Sequence, residues 1–215
     1  MLALFLRVNI SYFNSYTMSC KEEKLLSFDP EHIFFTSDTH FGHENIIRYC
    51  NRPFKNAEEM DKALIRNWNN VVGKDDIVFH LGDFAIGGSA IWNNALNALN
   101  GRIILVKGNH DLKNLRTGYT DKFEMIVPQL LIEVEGNSIY LNHYPFLCYS
   151  GMYREHPVLQ LFGHIHSGPL SQGEDFCRLP YLLPTQYDVG VDNNNFTPIS
   201  YREVEKIIQK QLSKK

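Results

Sequence analysis

His32-Ile-Phe-Phe-Thr-Ser-Asp-Thr-His-Phe-Gly-His43 opens as a short apolar run of strand length and ends abruptly in a cluster of Asp and His. A strand that stops in such a loop delivers potential ligands to one end of a sheet. The pattern recurs twice downstream. Asp76-Ile-Val-Phe-His-Leu81 runs into Gly82-Asp83-Phe84, and Arg102-Ile-Ile-Leu-Val106 runs almost directly into Gly108-Asn-His-Asp111. Between these strands Met60, Ala63, Leu64, Trp68, Val71 and Val72 recur at helical spacing before Gly73, and residues 89–99 also read as helix. Repetition of strand, polar loop and helix predicts an α/β fold whose site lies at the carboxyl ends of its strands.

The second half has a different rhythm. Leu130 to Glu135, a turn at Gly136-Asn137 and Ser138 to Asn142 predict an antiparallel hairpin, and 158–162 and 186–191 predict further strands. A second sheet follows from these. Tyr144 to Glu155 and Ser167 to Pro184, rich in Pro, Gly and aromatics, predict surface loops over the site, and residues 198–213 predict a closing helix.

The chain has 215 residues, 44% hydrophobic and 21% charged, with a net charge of -3, the composition of a soluble globular protein with ample material for one core. Residues 29–215 are expected to form a single domain after an N-terminal extension, 1–28, within which Met18 offers an alternative start. The apolar opening Met1 to Leu6 is too short, and too soon interrupted by Arg7 and Asn9, for a signal peptide or a membrane span. Cys20, Cys50, Cys148 and Cys177 are too few and too widely spaced for a disulfide framework, which predicts reduced thiols in a cytoplasmic protein. Lys and Arg are scattered and outnumbered by acids, so a small phosphorylated substrate is expected rather than a long nucleic acid.

Asp38 and His40, Asp83, Asn109, His143, and His164 with His166 all fall at the ends of predicted strands. Carboxylate, imidazole and amide donors in that mixture suit divalent Mn, Fe, Zn, Co or Ni better than Mg or Ca. A carboxylate such as Asp83 can bridge two ions about 3.5–4 Å apart. Each short motif is commonplace alone; their ordered combination at successive strand ends is the signal. The glycines before Asp83, Asn109 and His164 suit turns where the backbone approaches the site closely or takes positive φ. His80, two residues before Gly82, is expected to be a hydrogen-bonded core histidine.

With those residues in order, the sequence resembles the calcineurin-like metallophosphoesterase superfamily. Its blocks DxH, GD, GNH(D/E), H and GHxH match Asp38/His40, Gly82-Asp83, Gly108 to Asp111, His143 and Gly163 to His166. The run Thr36 to Cys50 is similar to a small bacterial and phage branch, and the likeness extends to Val191-Asp192 and Pro198-Ile199. The resemblance implies a four-layer α/β/β/α sandwich with two mixed sheets. It implies two divalent ions, one held by Asp38, His40 and His166, the other by Asn109, His143 and His164, with Asp83 bridging. It also implies a hydroxide between the ions attacking phosphorus in line, with His110 stabilising the transition state or protonating the departing alkoxide. Asp111 is expected either to orient His110 or to cap the following helix. His43 and Asn45 lie close enough to Asp38 to touch substrate or support a ligand. Tyr144, Phe146, Tyr149, Tyr153 and Arg154 offer a base-stacking and phosphate-clamping loop, which tilts the expectation towards a nucleotide-like diester.

Two other readings compete. A scaffold module could keep the fold without hydrolysis, yet no ligand position is lost here. A metal-free hydrolase using Ser37 or Ser150 lacks the Gly-x-Ser-x-Gly elbow.

Overall fold

The computed structural model describes residues 26–116, 121–151, 157–171 and 174–214. Most of the expected extension, Cys20, Tyr153 and Arg154 lie outside the described residues. Two five-stranded sheets are present. In the first, β2 (Ile33–Thr36), β3 (Ile77–His80), β4 (Arg102–Val106) and β5 (Met125–Val127) run parallel, and β10 (Ile199–Ser200) lies antiparallel to β2 at the edge. In the second, β6 (Leu130–Val134) and β7 (Asn137–Leu141) form an antiparallel hairpin. The strand β1 (Leu26–Ser27) joins one side of that hairpin, and β8 (Leu159–Phe162) and β9 (Gln186–Asp188) extend the other, all in parallel. The protein is therefore an α/β fold with two mixed sheets, as expected.

Strand periodicity explains how the sheets meet. Ile33, Phe35, Phe79, Leu81, Ile104 and Val106 of the first sheet form one buried core with Ile132, Val134, Ile139, Leu141, Leu159 and Leu161 of the second. The alternate residues Val78, Ile103 and Leu105 turn to the opposite face and pack with Met60, Leu64 and Trp68 of α2 (Ala57–Val71) and Trp92 of α3 (Ser89–Ala98). Burial on both faces is why these strands read as continuous apolar runs rather than alternating ones. Each fully buried large side chain contributes about 1.5–3 kcal/mol. On the outer face of the second sheet, Tyr140, Gln160 and Gln186 are covered by the loop around Phe146 and Tyr149.

Two predicted boundaries move. The hairpin turns at Glu135-Gly136, one residue earlier than expected, with φ of 50° and 80° at the two central positions. Such a two-residue turn needs positive φ at both positions to match the strand twist, and Asn137 begins β7 instead, its amide donating to the Tyr201 hydroxyl. The closing helix α4 starts at Tyr201 (Tyr201–Leu212) because Ile199 and Ser200 pair with β2. Ser200 and Glu203 then form a reciprocal capping box. The short elements β1, β5 and α1 (Glu44–Tyr49) carry too few residues to show a period.

All the polar loops emerge at one end of the sheets, where Ser37 bridges to Gly190 and Val191 N donates to Ser37 O. Among the described residues no helix is long and apolar enough to cross a membrane.

Candidate metal centre

The loop after β2 is zipped to the loop after β3. Asp38 N donates to Gly82 O at 2.9 Å, His40 N to Asp83 O at 3.0 Å and Phe41 N to Phe84 O at 3.0 Å. The second sheet joins through His164 N, which donates to Asp38 Oδ2 at 2.8 Å, and within that sheet Gly163 N donates to His143 O at 3.0 Å. These bonds hold an unusual backbone. Asp38 (φ 58°), His40 (50°), Asp83 (57°), His164 (70°) and His166 (53°) all lie in the left-handed region. Asp and His enter it more readily than most residues, but each such position still costs roughly 1–2 kcal/mol.

Gly163 sets how closely the sheets approach. A Cβ there would lie 2.0 Å from Ser37 Oγ and 2.4 Å from Asp38 Oδ2. Gly163→Ala is therefore expected to push the two ligand loops apart, lowering stability by about 1–3 kcal/mol and weakening metal retention. Urea denaturation and metal content, measured on the same preparation, check this; unchanged values for both would contradict it. Gly82, at φ +99°, and Gly108, whose Cβ would meet Asp83 Oδ1, answer the same expectation.

Asp38, Asp83, His143 and His166 each have one polar atom anchored by protein and another facing the other donors. Asp83 Oδ1 accepts from His110 N at 2.9 Å, while Oδ2 lies 3.6 Å from His40 Nε2, 3.5 Å from His143 Nε2 and 3.9 Å from His110 Nε2. His143 Nδ1 donates to Leu81 O at 2.8 Å, and its Nε2 lies 3.0 Å from Asn109 Oδ1. His166 Nδ1 lies 2.7 Å from Asp192, and its Nε2 is 3.7 Å from Asp38 Oδ1. Asp38 Oδ1 and His40 Nε2 are buried and have no hydrogen-bond partner among the described residues. Buried polar atoms left unpaired are costly and rare, and a cation between these two satisfies both. Asp38, His40 and His166 form one group of donor atoms within 4.8 Å of one another, and Asp83, His143 and His164 form a second. The donor set fits divalent metal.

The electrostatics agree. Burial pushes the Asp38 carboxyl up to about 6, although His166 and His143 oppose it. Burial alone would lower His143, but its hydrogen bond to Asp83 and the charge of Asp38 outweigh this and raise it to about 9. His166 is likewise driven well above its ordinary value by Asp38 and Asp192, against burial. His40 is pushed well below by burial, with His166 and Arg52 adding to the effect. This cluster favours positive charge beside its carboxylates, whether protons or a metal that displaces them.

The remaining expected residues divide. His110 stands at the mouth with its ring 5.4 Å from that of His40, and His43 lines the same cavity, its Nδ1 3.4 Å from His40 Nδ1. Asp111 neither orients His110 nor caps its helix through its side chain. Its two oxygens accept from the backbone N–H groups of Asp83, Phe84 and Gly108 at 2.8–2.9 Å, so it fixes the loop that carries Asp83. Tyr149 packs on Tyr140 and bonds Thr185 at 2.6 Å, away from the ligands. The aromatic that reaches them is Tyr144, whose hydroxyl donates to Asn109 Oδ1 at 3.2 Å and whose ring lies 4.6 Å from that of His164. Asn45 is exposed on α1 and does not line the cavity. His80 is the expected core histidine: its Nε2 lies 2.9 Å from Thr39 Oγ1, and burial depresses it to about 3.

Arg52 escaped the sequence reading altogether. Fully buried, it donates Nε and Nη2 to Asp192 at 2.8 Å each, Nη2 to Asp38 O at 2.7 Å and Nη1 to Thr39 O at 3.1 Å. Asp192, visible only through the family likeness, is thereby the carboxylate behind His166. Asp175 also reaches the cavity, from the 3-10 segment Glu174–Tyr181.

Residues 31–170 match the sequence family described as calcineurin-like phosphoesterase. The chain is 37% identical over 182 residues to the uncharacterized protein MJ1445 of Methanocaldococcus jannaschii, a match covering 83% of this chain and 92% of that one. The gene 66 protein of Mycobacterium phage D29 is 28% identical over 185 residues, covering 74% of this chain and 87% of its own. Among solved structures, the protein of unknown function AQ665 from Aquifex aeolicus aligns with a TM-score of 0.63 at 30% identity, over 81% of this chain and 98% of that one.

Proposed function

This chain belongs to the calcineurin-like phosphoesterase family, and from that premise we propose that it hydrolyses a phosphodiester of a small, nucleotide-like substrate at a two-metal centre. The observation that carries this reading is Asp83 Oδ2, which faces His40 of one donor group and His143 of the other within 3.6 Å. Asp38, His40 and His166 would hold one ion, Asn109, His143 and His164 the second, and Asp83 both. Divalent ions there would lower the pKa of water towards 7 and neutralise charge on the phosphoryl oxygens.

The protein's own groups do the rest. His110, with nearly half its side chain exposed, borders two cavities of about 470 and 790 Å³ that share Asn109 and His110 as lining. A phosphoryl group bearing two substituents has room on both sides of that point, which supports a diester. His110 Nε2 would donate a proton to the leaving oxygen. His110→Ala is expected to keep its metal and lose about a hundredfold or more in turnover; metal content measured beside kcat checks it, and a wild-type rate would remove His110 from the mechanism.

The test is hydrolysis of bis-p-nitrophenyl phosphate and p-nitrophenyl phosphate by protein stripped with chelator and resupplied with Mn²⁺, Ni²⁺, Zn²⁺ or Mg²⁺. Activity returning with metal, faster on the diester, is expected. Stoichiometric metal without turnover of either compound would overturn the catalytic reading.

A further inference from the structure

We infer that Asp175 is a positioning residue for His164, steadying one donor group from a segment outside the ligand-bearing loops; this rests on the two-metal reading above. Asp175 Oδ2 lies 3.4 Å from His164 Nε2, and its Oδ1 accepts from Arg178 Nε at 2.9 Å. The same carboxylate lines the cavity with His40, Asp83, Asn109 and His166.

The arrangement repeats one already seen on the neighbouring ligand. Behind His166 stands Asp192, and behind Asp192 stands Arg52. Behind His164 stands Asp175, and behind Asp175 stands Arg178. An imidazole that donates one N–H to a carboxylate has its tautomer and ring orientation fixed, and its other nitrogen is made a better donor to metal. Among the described residues, the rings of His143, 5.0 Å away, and Tyr144, 4.6 Å away, also pack against the His164 ring. Those ring contacts fix its tilt but not which nitrogen carries the proton. That choice falls to Asp175.

The two arrangements differ in exposure. The side chains of Arg52 and Asp192 are 0% and 3% exposed, those of Arg178 and Asp175 68% and 39%. An exposed pair is screened by water and salt, so the hold on His164 is the weaker and the more salt-sensitive of the two. The segment 174–181 thus tunes how firmly one ion is kept while leaving the other alone.

The experiment loads the full-length protein with two equivalents of Mn²⁺ and titrates it with a chromophoric chelator, which yields two dissociation constants. Asp175→Ala is expected to raise one constant about tenfold and leave the other within about twofold, and Asp175→Glu to restore most of the loss. Arg178→Ala, which touches no ligand, should shift the same constant in the same direction by less. Two unchanged constants in Asp175→Ala would overturn the inference. Equal weakening of both would also overturn it, because Asp175 would then act on the cavity as a whole. Wild-type protein that takes up fewer than two ions would instead bring down the two-metal reading, and this inference with it.

Discussion

Asp83→Asn is expected to lose its hold on both ions and about three orders of magnitude in turnover, about 4 kcal/mol of barrier. One oxygen of Asp83 is committed to the His110 backbone N–H, and the other faces three imidazoles within 3.9 Å. An asparagine that keeps its oxygen towards His110 N presents an NH₂ to the cavity, where a metal needs a lone pair. In the flipped orientation the NH₂ opposes a backbone donor. Neither rotamer restores the negative charge. Elemental analysis beside a rate measurement decides the matter: full metal loading with a wild-type rate would remove Asp83 from its bridging position.

The second large effect is on stability. Arg52→Met keeps much of the side-chain volume but leaves Asp192 buried beside His166 without its cation, and frees the carbonyls of Asp38 and Thr39. Breaking a buried pair from one side costs about 3–5 kcal/mol, out of a total stability of about 5–15 kcal/mol for an ordinary domain. The loss should also depend on pH. Burial would raise Asp192, but the Arg52 charge outweighs it and holds the carboxyl at about 2. A depressed carboxyl stabilises the fold fully above the unfolded value of about 4 and loses that contribution as pH falls towards 2. Without Arg52 only His166 still opposes burial, so the folded carboxyl moves up towards the unfolded value and acid costs the variant less than it costs wild type. The stability gap between wild type and Arg52→Met should therefore be widest near pH 7 and narrow as pH falls to about 3. Urea denaturation at both values measures it, and a gap below about 1 kcal/mol at pH 7 would mean that the pair is replaceable.

These two residues mark the boundary of what a single chain discloses. Asp83 was legible because it ends a buried strand and follows a glycine, so strand and loop are visible in one unbroken stretch, Asp76 to Phe84. Arg52 was not, because its partner lies 140 positions away and no local period relates them. Asp175 was hidden for a different reason: its partner His164 is near in sequence, but Asp175 lies within a loop whose composition says only that it is irregular. Asp111 was read as a cap or an orienter of His110 because both functions are common at that position. Two of its three partners, the amides of Asp83 and Phe84 after β3, become neighbours only when β3 and β4 pair in register. The aromatic loop announced a set of rings, but which one reaches the ligands depends on how the loop packs over Gln160 and Gln186. Tyr144 is thereby selected and Tyr149 is not.

The left-handed backbone at Asp38, His40, Asp83, His164 and His166 also constrains how such a protein can decay. A lineage with no further use for the donors is released from the carboxylate and the imidazole, but it still has to turn its chain at φ near 50–70° in each of these places. Glycine and asparagine make that turn cheaply, and β-branched residues do not. Retired copies should therefore carry Gly or Asn at these five positions while the rest of the fold persists. Valine or isoleucine there would mark a chain whose loops have been rebuilt, so the kind of replacement, as well as the loss itself, records the history.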